Sequence, residues 1–141
     1  MKALSLKQPW AGMVIERIKT IETRKWKTSY RGDIIICSSL SIDKSMMDLV
    51  REKRPDLIDN PSLLARGQAL GIVEMYLIVQ MGIQHEESAC CKVYPGAYAW
   101  FLGHIRKFRY PHQVKGQLGL FELDIHDTDF IKIKWIRKQQ E

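Results

Sequence analysis

Lys19, Glu22 and Arg24 share one short run, Lys19-Thr20-Ile21-Glu22-Thr23-Arg24. A lysine and a carboxylate held close can share a proton when both are partly desolvated, which makes an acid–base pair. An arginine beside them can grip a phosphate or a base edge. The run alternates and is rich in β-branched residues, so it reads as a strand over Thr20 to Trp26. Period-2 geometry then puts Thr20, Glu22 and Arg24 on one face, with Lys19 at its mouth. Lys19 and Glu22 are thus the candidate catalytic residues. A solvated cross-strand salt bridge would leave the same letters, and such pairs contribute little.

Other residues could meet an anionic ligand. Trp10 follows Gln8-Pro9 and offers either an indole face for a base or a cap on the core. Arg106, Lys107, Arg109 and Lys115 interleave with Phe108, Tyr110 and His112, and no acidic residue lies between Gly103 and Leu120. That mixture suits a nucleic-acid backbone with exposed bases, and equally a solvated loop. Arg31 sits in a Tyr30-Arg31-Gly32-Asp33 turn. Lys and Arg outnumber Asp and Glu between Ala3 and Ser39, and most of the net charge of +6 falls there. A basic block of this kind asks for an anionic partner. Trp26, Tyr98 and Trp100 read first as core or edge aromatics.

Some chemistries find no support. His85-Glu86-Glu87 and Cys90-Cys91 lack both H-E-x-x-H and C-x-x-C spacing, so no metal is expected. There is no G-x-G-x-x-G and no P-loop, so no nucleotide cofactor is expected. No Ser or Cys sits in a nucleophile motif. Three cysteines, two of them adjacent, suit a reducing compartment. The N-terminus lacks a signal-peptide h-region and no apolar run approaches a membrane span, so a cytoplasmic protein is expected.

The elements that must position these residues follow from periodicity. A chain of 141 residues, 45% hydrophobic and 27% charged, reads as one globular domain. Ala3 to Lys7 alternates as a strand, and Pro9 ends it. Trp10, Met13, Val14 and Ile18 recur at helical spacing, which predicts a helix from Trp10 to Arg17. After the turn, Asp33 to Ser38 reads as a buried strand returning beside its predecessor. Ser41 and Asp43 are candidate caps for a helix that Pro55 stops. A short helix is expected over Pro61 to Ala65, then strands over Ala69 to Val79, from Tyr98 towards Phe108, and over Leu118 to Ile125. Met81 to Gly96 reads as irregular. Five to seven strands with two or three helices, not strictly alternating, predict an α+β fold around a small barrel.

These residues also carry a family resemblance. Leu4-Ser5-Leu6-Lys7-Gln8-Pro9-Trp10-Ala11, Lys19-Thr20-Ile21-Glu22-Thr23-Arg24, Trp26 and Tyr30-Arg31-Gly32 resemble the ASCH (activating signal cointegrator homology) domain. Tyr98-Ala99-Trp100, Val114-Lys115-Gly116 and Gly119-Leu120-Phe121 agree with it. The resemblance implies a PUA-like β-barrel with a cleft on one side. It implies an ASCH domain over 1–125, with 126–141 a basic extension, in which the alternation of Ile131 to Trp135 predicts an edge strand. It also implies binding of RNA or a modified nucleoside, or of DNA, by a monomer through a basic cleft holding Lys19, Glu22, Arg24 and Trp10. The alternative it implies is a hydrolase, either an amidohydrolase of N4-acetylcytidine-type nucleosides or a ribonuclease. In the amidohydrolases a Lys, a Thr and a distant Glu carry the reaction. Lys19 matches the Lys, Glu22 stands where the Thr would be, between Thr20 and Thr23, and Glu74 matches the distant Glu by type alone. Arg17 replaces the Gly that often precedes the motif Lys.

Overall fold

A computed structural model describes residues 1–131. The chain runs β1 (Lys2–Gln8), α1 (Trp10–Ile15), β2 (Ile21–Arg24), β3 (Gly32–Ile42) and α2 (Lys44–Lys53), then α3 (Pro61–Leu64), β4 (Gln68–Gln80), α4 (Glu86–Ala89), β5 (Tyr98–Gln113) and β6 (Leu120–Glu122). Pro55–Leu57 and Ile83–His85 form short 3₁₀ turns. The class is α+β as expected, with four α-helices among the described residues against the two or three predicted. The additional one, α4, lies in the stretch read as irregular. No helix among the described residues is long and apolar enough to cross a membrane.

One six-stranded sheet has the order β2-β5-β4-β3-β1-β6. β1 and β3 are parallel, and the other pairs are antiparallel. Two expectations change here. The Asp33 strand does not return beside its predecessor: β2 pairs with β5, and β3 lies between β1 and β4. The expected barrel is not closed by backbone ladders, because β2 and β6 are the two ends of the sheet. β2 is only four residues long, and the approach to it is met by the α4 segment, with Thr20 N–H donating to the Ser88 carbonyl at 2.9 Å. A side chain spans the seam instead. Arg24 of β2 donates through Nη2 to the Ser5 carbonyl of β1 at 3.2 Å. Three strands separate β2 from β1 in the ladder, so this contact means that the sheet curls. Register shifts in the β4–β5 pairing supply local bends. β5 runs unbroken through Pro111 to Gln113, longer than its composition suggested.

The largest core cluster joins Leu4, Leu6, Ile34, Ile36, Val73, Trp100 and Leu102 of the strands to Ala11, Val14 and Ile15 of α1. α1 is fixed by a buried polar clamp. Gln8 is fully buried, its Nε2 donates to the carbonyls of Ser62 and Ala65 at 2.7 and 2.8 Å, and its Oε1 accepts from Gly12 N–H at 3.0 Å. A buried amide with its donors and acceptor engaged orders its neighbours at little desolvation cost. Gly12 is needed where α1 meets α3, because a Cβ there would lie 2.4 Å from the Ser62 carbonyl oxygen. Residues 126–131 lie along β5, with Phe130 bridged to Phe108 and Ile131 N–H donating to the Lys107 carbonyl. The edge strand expected over Ile131 to Trp135 falls, beyond Ile131, outside the described residues.

Candidate nucleoside or nucleic-acid cleft

The loop from α1 into β2 brings Lys19 inside. Lys19 N–H and Ile18 N–H both donate to the Met13 carbonyl, which turns the chain back over α1. Lys19 is then only 1% exposed. Its Nζ donates to the Ala89 carbonyl at 2.5 Å. That carbonyl is at the end of α4, where Cys90 adopts a left-handed conformation at φ 57°. Carbonyls at a helix end lack intrahelical partners and favour a cation. Lys19 Nζ also lies 4.7 Å from the Trp10 ring centroid and 3.7 Å from Glu22 Oε1.

Glu22 is almost wholly buried as well. Its Oε1 accepts from Thr23 N–H at 2.9 Å and its Oε2 from Arg24 Nη2 at 3.2 Å. Glu22 and Arg24 share a strand face, as the alternation predicted. The group holds two cations and one carboxylate, so by count it carries an excess positive charge. Trp10 is held by a hydrogen bond from Nε1 to Asp43 Oδ2 at 2.9 Å, and Asp43 Oδ1 caps α2 by accepting from Met46 N–H at 3.1 Å. With Lys19 Nζ over the ring, the ammonium interacts with the indole face that a base would otherwise use.

These residues line a cleft of about 970 Å³. Ser5, Lys7 and Trp10 come from β1 and the start of α1. Lys19, Glu22, Thr23 and Arg24 come from β2 and its approach, and residues 38–41 from the end of β3. Cys91 and Tyr94 follow α4, and residues 114–119 link β5 to β6. The volume is at the upper end of the range for small-ligand sites. Burial pushes the Cys90 thiol upward, with the Lys19 charge pulling the other way.

The proposed basic residues divide in two. Lys115 lines the cleft together with Lys19, Arg24 and Trp10. Arg106, Lys107 and Arg109 do not, and each meets a carboxylate. Arg106 pairs with Asp33 through two hydrogen bonds, Lys107 Nζ with Glu16 at 2.6 Å, and Arg109 Nε with Asp129 at 3.0 Å. Arg31 is exposed and folds onto its own turn, with Nη1 donating to the carbonyls of Thr28 and Tyr30 at 2.7 Å each. Glu74 is exposed and is not among the cleft residues, so it cannot serve as the distant glutamate of the amidohydrolase pattern. Thr23 lines the cleft beside Cys91, with Oγ1 and Sγ 3.9 Å apart. Trp100 is fully buried, and Trp26 packs edge-on against it at 4.8 Å. Sequence reasoning missed Lys7, Tyr94, Cys91 and residues 38–41. Lys7 had a signal, a polar position in an alternating strand. The others reach the cleft only through long-range pairing.

Comparison with curated proteins gives no match. Solved structures do match. The ASCH structure from Zymomonas mobilis superposes with a TM-score of 0.57 at 16% identity, covering 86% of each chain. Structures of its tyrosine-to-phenylalanine and serine-to-alanine variants superpose with TM-scores of 0.54 at 15% identity, covering 86% of this chain. At that identity the likeness shows the fold alone. The ASCH domain family description matches residues 4–112, which includes the whole Lys19 run and most of the sheet, and the chain therefore belongs to the ASCH domain family.

Proposed function

We propose that this ASCH chain binds RNA or a modified nucleoside in the cleft floored by Lys19, Glu22 and Arg24. One observation carries the reading: two cations and one carboxylate, with Lys19 withdrawn from solvent, converge on the floor of a ligand-sized cleft beside an indole. A floor with excess positive charge favours anionic or electron-rich carbonyl groups, and a low-dielectric surround strengthens that preference. DNA offers the same phosphates and belongs to the same reading. The test is a gel shift with mixed-sequence RNA across a salt series. Binding that falls steeply with salt and is weakened by Lys19→Met supports it. Binding insensitive to both contradicts it.

A second reading has its own support. Lys19 Nζ lies 3.7 Å from Glu22 Oε1 with Thr23 close by, a pair able to move a proton during hydrolysis of an acylated nucleoside or of RNA. Lys19→Arg separates the roles, because arginine keeps the charge but does not release a proton. Turnover by the wild-type chain that disappears in Lys19→Arg, with binding retained, establishes the enzyme. No turnover of either substrate class by the wild-type chain removes it.

A further inference from the structure

The cations of this molecule differ in whether they are already satisfied. Arg106, Lys107 and Arg109 are matched by Asp33, Glu16 and Asp129, and Arg24 and Lys19 share Glu22. Lys7 and Lys115 are different. Both are exposed, both line the cleft, and neither makes an ion pair or side-chain hydrogen bond among the described residues. Lys7 stands at the end of β1 and Lys115 in the β5–β6 link. Gly116 packs over β1, its Cβ position 3.0 Å from Ser5 Oγ, so this link is held against the strand that carries Lys7.

Resting on the reading of the cleft as a nucleoside or RNA site, we infer that its ligand is phosphorylated. The base or sugar enters towards Lys19 and Trp10, and Lys7 and Lys115 receive the phosphate at the rim. Flexible, strongly hydrated ammonium groups suit a phosphate that stays in water, whereas the fixed Arg24 fork suits a group deeper in the cleft. The β5 cations are not the phosphate track, since binding there would first have to displace three carboxylates. The ligand unit is therefore a nucleotide, free or within a strand, and not a bare nucleoside.

The experiment is calorimetric titration of the full chain with the four common ribonucleosides, their 5′-monophosphates and a mixed-sequence RNA pentamer. The monophosphates are expected to bind roughly tenfold more tightly than the nucleosides, the scale of one or two charge-assisted contacts. Lys7→Ala/Lys115→Ala should abolish that preference, while Lys44→Ala/Lys53→Ala, with the same charge change on α2, should keep it. A pentamer that outcompetes the monophosphates assigns the unit to a strand, and the reverse order assigns it to a free nucleotide. Equal affinity for nucleosides and monophosphates overturns the inference and leaves the cleft reading standing. A preference that survives in Lys7→Ala/Lys115→Ala overturns it as well, by placing the phosphate elsewhere. No binding of any nucleoside, monophosphate or pentamer overturns the cleft reading itself.

Discussion

The cleft floor and the β5 strip are built from the same residue types and come out opposite. On the floor, two cations share one carboxylate, and the lysine and glutamate are buried. On the strip, three cations meet three carboxylates, each from a different part of the chain. The floor is left with more positive than negative charge. The strip uses its charges to fasten α1, the start of β3 and the 124–131 segment onto β5. What decides whether a basic cluster keeps an excess charge or becomes a brace is thus the partner and not the count of basic residues.

The largest expected effect breaks the floor. Glu22→Gln leaves Lys19 and Arg24 without a compensating charge, and losing one partner of a buried ion pair costs about 3 kcal/mol. Denaturant midpoints at neutral pH measure this, and an unchanged midpoint would mean that the floor is solvated after all. A smaller effect lies in acid and belongs to the strip. Burial raises the Glu16 carboxyl, but hydrogen bonds from Lys107 and Ser62 outweigh it, and its pKa lies below the ordinary 4.5. Arg106 hydrogen bonds likewise hold Asp33 below 3.8. Depressed carboxyls stabilise the fold fully above their ordinary values and lose that contribution as pH falls through the folded ones. Stability should therefore decline below pH about 4.5, and Glu16→Gln should flatten that limb. An equally steep acid limb in Glu16→Gln would place the titrating group elsewhere. The smallest effect is Arg109→Ala. Its ion pair is open to water, so the denaturation midpoint and RNA affinity should both be unchanged within error. A marked loss of affinity there would move the binding face to the strip.

The floor was legible because it is local. Six consecutive residues carry Lys19, Glu22 and Arg24, and strand alternation alone puts the last two on one face. The Gln8-Pro9-Trp10 corner was legible for the same reason, although the clamp that Gln8 makes on Ser62 and Ala65 was not. The ion pairs of the strip were not legible because the partners are remote. Asp33 and Glu16 lie 73 and 91 positions before the cations they meet. A window with no acidic residue looked free, while the β3–β4–β5 and α1 packing brought carboxylates to it from outside. The pairing of β2 with β5 was hidden likewise, since a four-residue strand does not announce its neighbour. The open sheet rests on the short β2, whose seam with β1 is crossed by the Arg24 side chain and not by a ladder.

The most direct measurement is an amide chemical-shift titration of the intact chain with a mixed-sequence RNA pentamer. The largest shifts are expected at Ser5 to Trp10, Lys19 to Arg24 and Lys115 to Gly119, with Arg106 to Arg109 nearly still. Shifts centred on Arg106 to Arg109, or none along the cleft at saturating RNA, would contradict it.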